Sequence, residues 1–273
     1  MKVTLALGCC VILFSPAYAG VFFQDDFESY TGSITNWNTG NQVSLTTNNC
    51  HSGSKCVKIT FTDPGTSPYL FQKNISSYNL GEIYVRFYFK LDDASVCCDG
   101  GAKFFKLFGR RNSPQGYANS TFALGAWNSI ISGVLYGNGG SVENDTQQYI
   151  RLDGSKTDSS VNLVTFTSLF DGRDEKWHSY EAYMKYNTNG KRDGEYKIWI
   201  DGELRMHATN VKNRNDLNAR VFDEVRLADY HHNYGSKTWS LWYDDVVFST
   251  SYIGLIGGNP VTQLSPPTNL IIQ

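Results

Sequence analysis

The sequence predicts an all-β protein, a single antiparallel two-sheet β-sandwich of the jelly-roll kind. Runs rich in Val, Ile, Tyr, Phe and Trp recur along the 273 residues between clusters of Gly, Asn, Asp and Ser, the signature of strands joined by turns. Helical periodicity is scarce. So many strands sharing one core favour two packed sheets over a small barrel.

The first element is not part of the fold. Met1-Lys2 is followed by an apolar stretch over residues 3–14 and then by Ser15-Pro16-Ala17-Tyr18-Ala19-Gly20, a small-residue cleavage site. This reads as a secretory signal peptide at 1–19, because the apolar run is too short to span a bilayer. Cys9 and Cys10 leave with it. Four cysteines remain, Cys50, Cys56, Cys97 and Cys98. In an oxidising compartment they are disulfide candidates, with three connectivities open. Their spacing matches no common zinc motif.

The strands follow in order. Residues 57–62 open the series, and Glu82 to Leu91 alternates cleanly, with Val85, Phe87, Phe89 and Leu91 on a core face and Tyr84, Arg86, Tyr88 and Lys90 on the other. Further strands are expected at 103–108, 122–127 and 148–152. A meander comes next: a strand from Trp177 to Tyr186 places Tyr180, Ala182 and Met184 opposite Ser179, Glu181, Tyr183 and Lys185. A turn at Asn187-Thr188-Asn189-Gly190, a strand over 195–200 and a tight Asp201-Gly202 turn complete it. Strands at 221–230 and 239–249 close a sandwich domain spanning 20–252. Residues 253–273, rich in Gly and Pro, read as a linker or tail.

Composition narrows the function. A net charge of −2 with no basic run argues against a nucleic-acid or anionic-membrane partner. No Gly-rich phosphate loop, Gly-x-Ser-x-Gly elbow or His-Glu-x-x-His helix is present. Aromatic residues make up 14%, and tyrosines on polar strand faces suit stacking on sugar rings. The expected partner is therefore an extracellular polysaccharide, bound by a monomer with no membrane span once the signal is removed.

The order Glu82 to Leu91, then Gly100-Gly101-Ala102-Lys103-Phe104-Phe105-Lys106-Leu107-Phe108-Gly109, then Trp177-His178, then Trp199-Ile200-Asp201-Gly202 resembles the concanavalin A-like lectin/glucanase superfamily. Within it the chain is most similar to polysaccharide lyases of the heparin-lyase-like and glucuronan- or alginate-lyase type. Asp25-Asp26-Phe27-Glu28 at one end and Trp242-Tyr243-Asp244-Asp245-Val246-Val247-Phe248-Ser249 at the other look like the paired terminal strands of that fold.

The resemblance implies β-elimination on a uronic-acid-containing, acidic polymer. The reaction needs a group that neutralises the carboxylate, a base for the α-proton and an acid for the leaving oxygen. From side-chain chemistry and strand parity, the catalytic candidates are His231 and His232 as base and Tyr183 or Tyr234 as proton donor. Arg86, Tyr88, Lys106, Lys185, Arg226 and Tyr230 are the candidate substrate-binding residues, with Arg86 or Arg226 forking the carboxylate. No cofactor is required; a structural calcium ion on Asp25, Asp26, Asp244 and Asp245 is an option, against the alternative that these aspartates cap turns. Hydrolysis is disfavoured because no E-x-D-x-x-E strand occurs, and the alternative from another class is a non-catalytic lectin-like module.

Overall fold

The computed structural model describes residues 20–61, 71–92, 102–110, 118–127, 130–137, 148–151, 159–166, 174–188, 190–211, 221–231 and 238–257. In chain order the strands are Val21–Asp25 (β1), Asn38–Thr39 (β2), Val43–Thr46 (β3), Cys56–Phe61 (β4), Phe71–Asn74 (β5), Glu82–Leu91 (β6), Ala102–Arg110 (β7) and Ala118–Trp127 (β8). They continue as Ile130–Gly137 (β9), Gln148–Arg151 (β10), Asn162–Phe166 (β11), His178–Lys185 (β12), Gly194–Ile200 (β13), Glu203–Val211 (β14), Val221–His231 (β15) and Trp239–Ser249 (β16). The expected strands are all found, their ends moved by a residue or a few.

Two antiparallel sheets result, as the alternation predicts. The nine-stranded sheet runs β11-β14-β13-β12-β6-β16-β4-β3, with β1 also on β16; the seven-stranded sheet runs β10-β9-β8-β7-β15-β5-β2. The meander is β12 to β14, and both residues of its Asp201-Gly202 turn have positive φ, 50° and 78°, the backbone that a two-residue hairpin turn demands. β16 pairs with β4 through Trp239 to Tyr243 and with β1 through Val246 to Ser249. Between these halves Asp245 takes φ 50° and the register with β6 shifts, a bulge that lets one strand serve two partners.

Aromatic and β-branched side chains from both sheets fill the space between them. Phe87, Phe89, Tyr180, Ile198, Leu241 and Tyr243 of the larger sheet share one buried cluster with Phe105, Leu107, Val225 and Leu227 of the smaller. Phe87 packs 5.5 Å from both Phe105 and Tyr243, centroid to centroid. Full burial of such a ring is worth about 2 kcal/mol or more.

The structure adds to the sequence reading on the second face of the larger sheet. That face is polar in composition but not open to water: Arg86, Tyr88, Ser179, Glu181 and Tyr183 are all buried. Residues 253–256, read from the sequence as the start of a linker or tail, lie across this face. Ile253 and Gly254 donate their backbone N–H groups to the two oxygens of Glu181 (2.8 and 2.9 Å), and Arg86 Nη1 donates to the Gly254 carbonyl (2.7 Å). The Ile256 N–H donates to the Tyr88 hydroxyl (3.0 Å). A buried carboxylate on β12 and a buried guanidinium on β6 thus bind a strap of main chain.

Candidate functional site

The seven-stranded sheet positions the basic residues. Phe105 and Leu107 on β7, and Val225 and Leu227 on β15, are core residues, so strand alternation turns Lys106, Glu224 and Arg226 to the opposite face. Arg226 pairs in register with Lys106 on one side and with Gln72 of β5 on the other. Both basic side chains are half-buried, and Arg226 Nε donates to the buried carboxylate of Glu224, which fixes the guanidinium's orientation. Further along β15, Tyr230 pairs with Lys103 and His231 with Ala102, after a register shift between Leu227 and Tyr230. Arginine, lysine, tyrosine and histidine therefore occur on two adjacent strands.

The remaining candidates stand on the other sheet. Arg86 and Tyr88 are held by the strap. Tyr183, on β12, donates its hydroxyl to Glu82 Oε2 at 2.8 Å; burial, then this bond and the charge of Glu82, push its pKa far up. The Tyr84 ring packs tilted against it with centroids 4.4 Å apart, and Tyr84 is raised to about 12, chiefly by burial. Lys185, half-buried, ends the same strand opposite Glu82. Tyr183 and Arg86 thus stand on the nine-stranded sheet, whereas His231 and Arg226 stand on the seven-stranded one. His232 and Tyr234 lie outside the described residues, as do Cys97 and Cys98.

Burial pushes Glu181 up to about 7, against the pull of the two strap N–H groups and Arg86. Arg86 itself is lowered by burial. His178 touches carboxylates with both ring nitrogens, Asp201 at 2.8 Å and Asp174 at 2.9 Å. Burial alone would lower its pKa; the two carboxylates outweigh it and raise the pKa. His178 is thereby a tie between the approach to β12 and the Asp201-Gly202 turn.

The aspartates proposed for calcium are occupied by the protein. Asp25 accepts from the Phe27 N–H, the Tyr30 hydroxyl (2.5 Å) and Trp37 Nε1 (2.9 Å), and Asp26 accepts from the Glu28 N–H. Asp244 accepts from the N–H groups of His51 and Ser52, and Asp245 bonds the His51 ring and the Ser52 hydroxyl. Among the described residues no three of these four aspartates bring ligand oxygens within 4.8 Å of one another. Cys50 and Cys56 form a disulfide, one of the three connectivities the cysteines allow, and its loop is the one seated on Asp244 and Asp245.

No protein-family model matches the chain, and no curated protein does. Among solved structures, an endo-β-1,4-glucuronan lyase from the fungus Trichoderma reesei aligns with a TM-score of 0.57 and 16% identity, covering 85% of this chain and 96% of that one. The marine PL-14 alginate lyase from Aplysia kurodai aligns with a TM-score of 0.52 and 17% identity, covering 77% and 87%. This chain has the fold of an antiparallel two-sheet jelly roll. A third jelly roll, the alginate lyase Aly36B with a bound alginate tetrasaccharide, has a TM-score of 0.56 and 15% identity over 87% of this chain and 98% of that one. At these identities the likeness belongs to the backbone; any chemistry has to be argued from this jelly roll's own residues.

Three residues that matter to the smaller sheet were missed in the sequence: Gln72, Lys103 and Glu224. Gln72 sits in a four-residue strand too short to alternate visibly, and the register shift between Lys103 and Phe105 breaks simple parity counting. For Glu224 the signal was present, since its i+2 neighbour is Arg226 and such pairs share a strand face.

Proposed function

We propose that this jelly roll is a secreted polysaccharide lyase that cleaves an acidic, uronic-acid-containing glycan by β-elimination. The observation that carries the reading is the adjacent pair Arg226 and Lys106 on the face of the seven-stranded sheet turned away from the core. Two neighbouring cations suit a carboxylate whose charge must be neutralised before its α-proton becomes acidic. The glucuronan and alginate lyases that share the backbone support the choice of reaction and polymer class. The leader at 1–19 and the Cys50–Cys56 disulfide support export.

In this reading Arg226, oriented by Glu224, and Lys106 bind the uronate carboxylate, with Tyr230 four residues farther along β15. His231 or His232 removes the α-proton, and Tyr234 protonates the leaving oxygen. Incubation with glucuronan, alginate and heparin-type polymers should give the ultraviolet absorbance of an unsaturated product. Arg226→Ala should lower kcat/KM roughly 100-fold, the loss of a charge-assisted bidentate contact. Polymer retained without any product would make the protein a binding module. Full activity in both His231→Ala and His232→Ala would remove histidine from the base role.

A further inference from the structure

The hydrogen-bonded register continues from Arg226 and Lys106 across the sheet. Lys106 pairs with Ala123 of β8, Ala123 with Val134 of β9, and Val134 with Arg151 of β10. On the other side Arg226 pairs with Gln72, and Gln72 with Asn38 of β2. One row of register partners thus crosses the whole seven-stranded sheet, with basic residues at Arg226, Lys106 and, three strands farther on, Arg151. At about 4.8 Å per strand, Lys106 and Arg151 lie roughly 14 Å apart along the row, a span of several sugar rings.

We propose that Arg151 supplies a remote cationic subsite, which holds a second carboxylate of the same polymer while Arg226 and Lys106 hold the first. The proposal rests on the assignment of this sheet face to the acidic glycan. Three features of the row support it. The positions between the two cationic ends are Ala123 and Val134, which carry no charge to repel or compete for a carboxylate. The next row of the same parity, two residues along, holds a tyrosine pair, Tyr136 opposite Tyr149, at the Arg151 end, residue types that serve sugar stacking. A polymer running instead along β15 would meet the carboxylate of Glu224 immediately next to Arg226, so a polyanion is steered across the strands rather than along them.

Two grips joined by one chain act as a bivalent contact: once the first carboxylate is bound, the second binds at a high effective concentration. The consequence is a dependence on chain length. Oligosaccharides long enough to reach from Lys106 to Arg151 should bind more tightly than shorter ones, and Arg151 alone should account for the difference.

The experiment compares wild type, Arg151→Ala, Arg151→Lys and Arg226→Ala on size-fractionated glucuronan and alginate, from the disaccharide upward, by product absorbance and by affinity electrophoresis of uncut polymer. Arg151→Ala should raise KM for long chains about tenfold, the effect of one lost charge-assisted contact, with kcat unchanged. It should leave the shortest cleaved oligosaccharide and the thermal midpoint unaffected. Arg151→Lys should recover part of the loss, whereas Arg226→Ala should impair every length. If Arg151→Ala matches wild type at all lengths, or impairs all lengths equally, the remote subsite is wrong while the lyase reading stands. If wild type neither retains nor cleaves any acidic polymer, both fall together.

Discussion

At the scale of single residues, chemistry and location part company. Tyr183 and Arg86 have the functional groups that a lyase needs, yet both are committed to the larger sheet: Tyr183 to Glu82 and Arg86 to the Gly254 carbonyl. Tyr183→Phe should therefore leave polymer cleavage unchanged and cost about 1 kcal/mol of stability, the usual value of one hydrogen bond. A large fall in kcat with an unchanged melting temperature would return Tyr183 to the active site. Face assignment was legible for these residues, because alternation along a strand is a local property. The partner strand was not, because β12 chooses β6 and β13 through contacts that no short window of sequence contains.

At the scale of elements, two short segments complete the larger sheet. The Cys50–Cys56 loop is pinned by the carboxylates of β16, and the His51 ring stacks on Tyr88 with centroids 3.6 Å apart. Closing so short a loop contributes about 2 kcal/mol by restricting the unfolded chain. Cys50→Ser with Cys56→Ser should lower the denaturation midpoint accordingly, as measured in urea with and without reductant. The strap at residues 253–256 depends instead on Glu181. Glu181→Gln removes the ionisable group while keeping its shape, so the variant should lose part of the pH dependence of stability described below; an unaltered profile would separate Glu181 from that dependence. The Gly and Ile residues of the strap give no strand pattern, so the sequence does not mark it as packing on the sheet. Its partners are main-chain groups, which sequence does not distinguish.

At the scale of the whole molecule, the buried acids set the pH response. Glu181 and Asp244 are both raised to about 7, chiefly by burial, well above the usual carboxylate range. The native state therefore holds these protons more tightly than the unfolded chain, and the associated stability is present below about pH 4 and lost as pH rises through about 7. His178, also raised, has the same sign, its contribution lost as pH rises through its folded value. Burial alone would raise Asp174 and Glu195, but their hydrogen-bonding and charged partners outweigh it and lower both, so they act oppositely, losing stability as pH falls below about 4. Thermal midpoints measured from pH 4 to 9 should peak near about pH 5 and decline toward about pH 8. A rise over that interval would contradict the assignment. The amino-acid order alone specifies the all-β class, nine of the strands and the faces of residues on the longer ones, since these follow from the two-residue period of an extended chain and from turn chemistry; short strands such as Asn38–Thr39 and Phe71–Asn74 carry no such period. Only the tertiary structure decided which strands share a sheet, so that Arg226 meets Lys106 while Arg86 and Tyr183 lie under cover on the opposite layer. Those pairings join residues more than a hundred positions apart, as β7 does with β15, and they are selected by packing across the core rather than by any local preference.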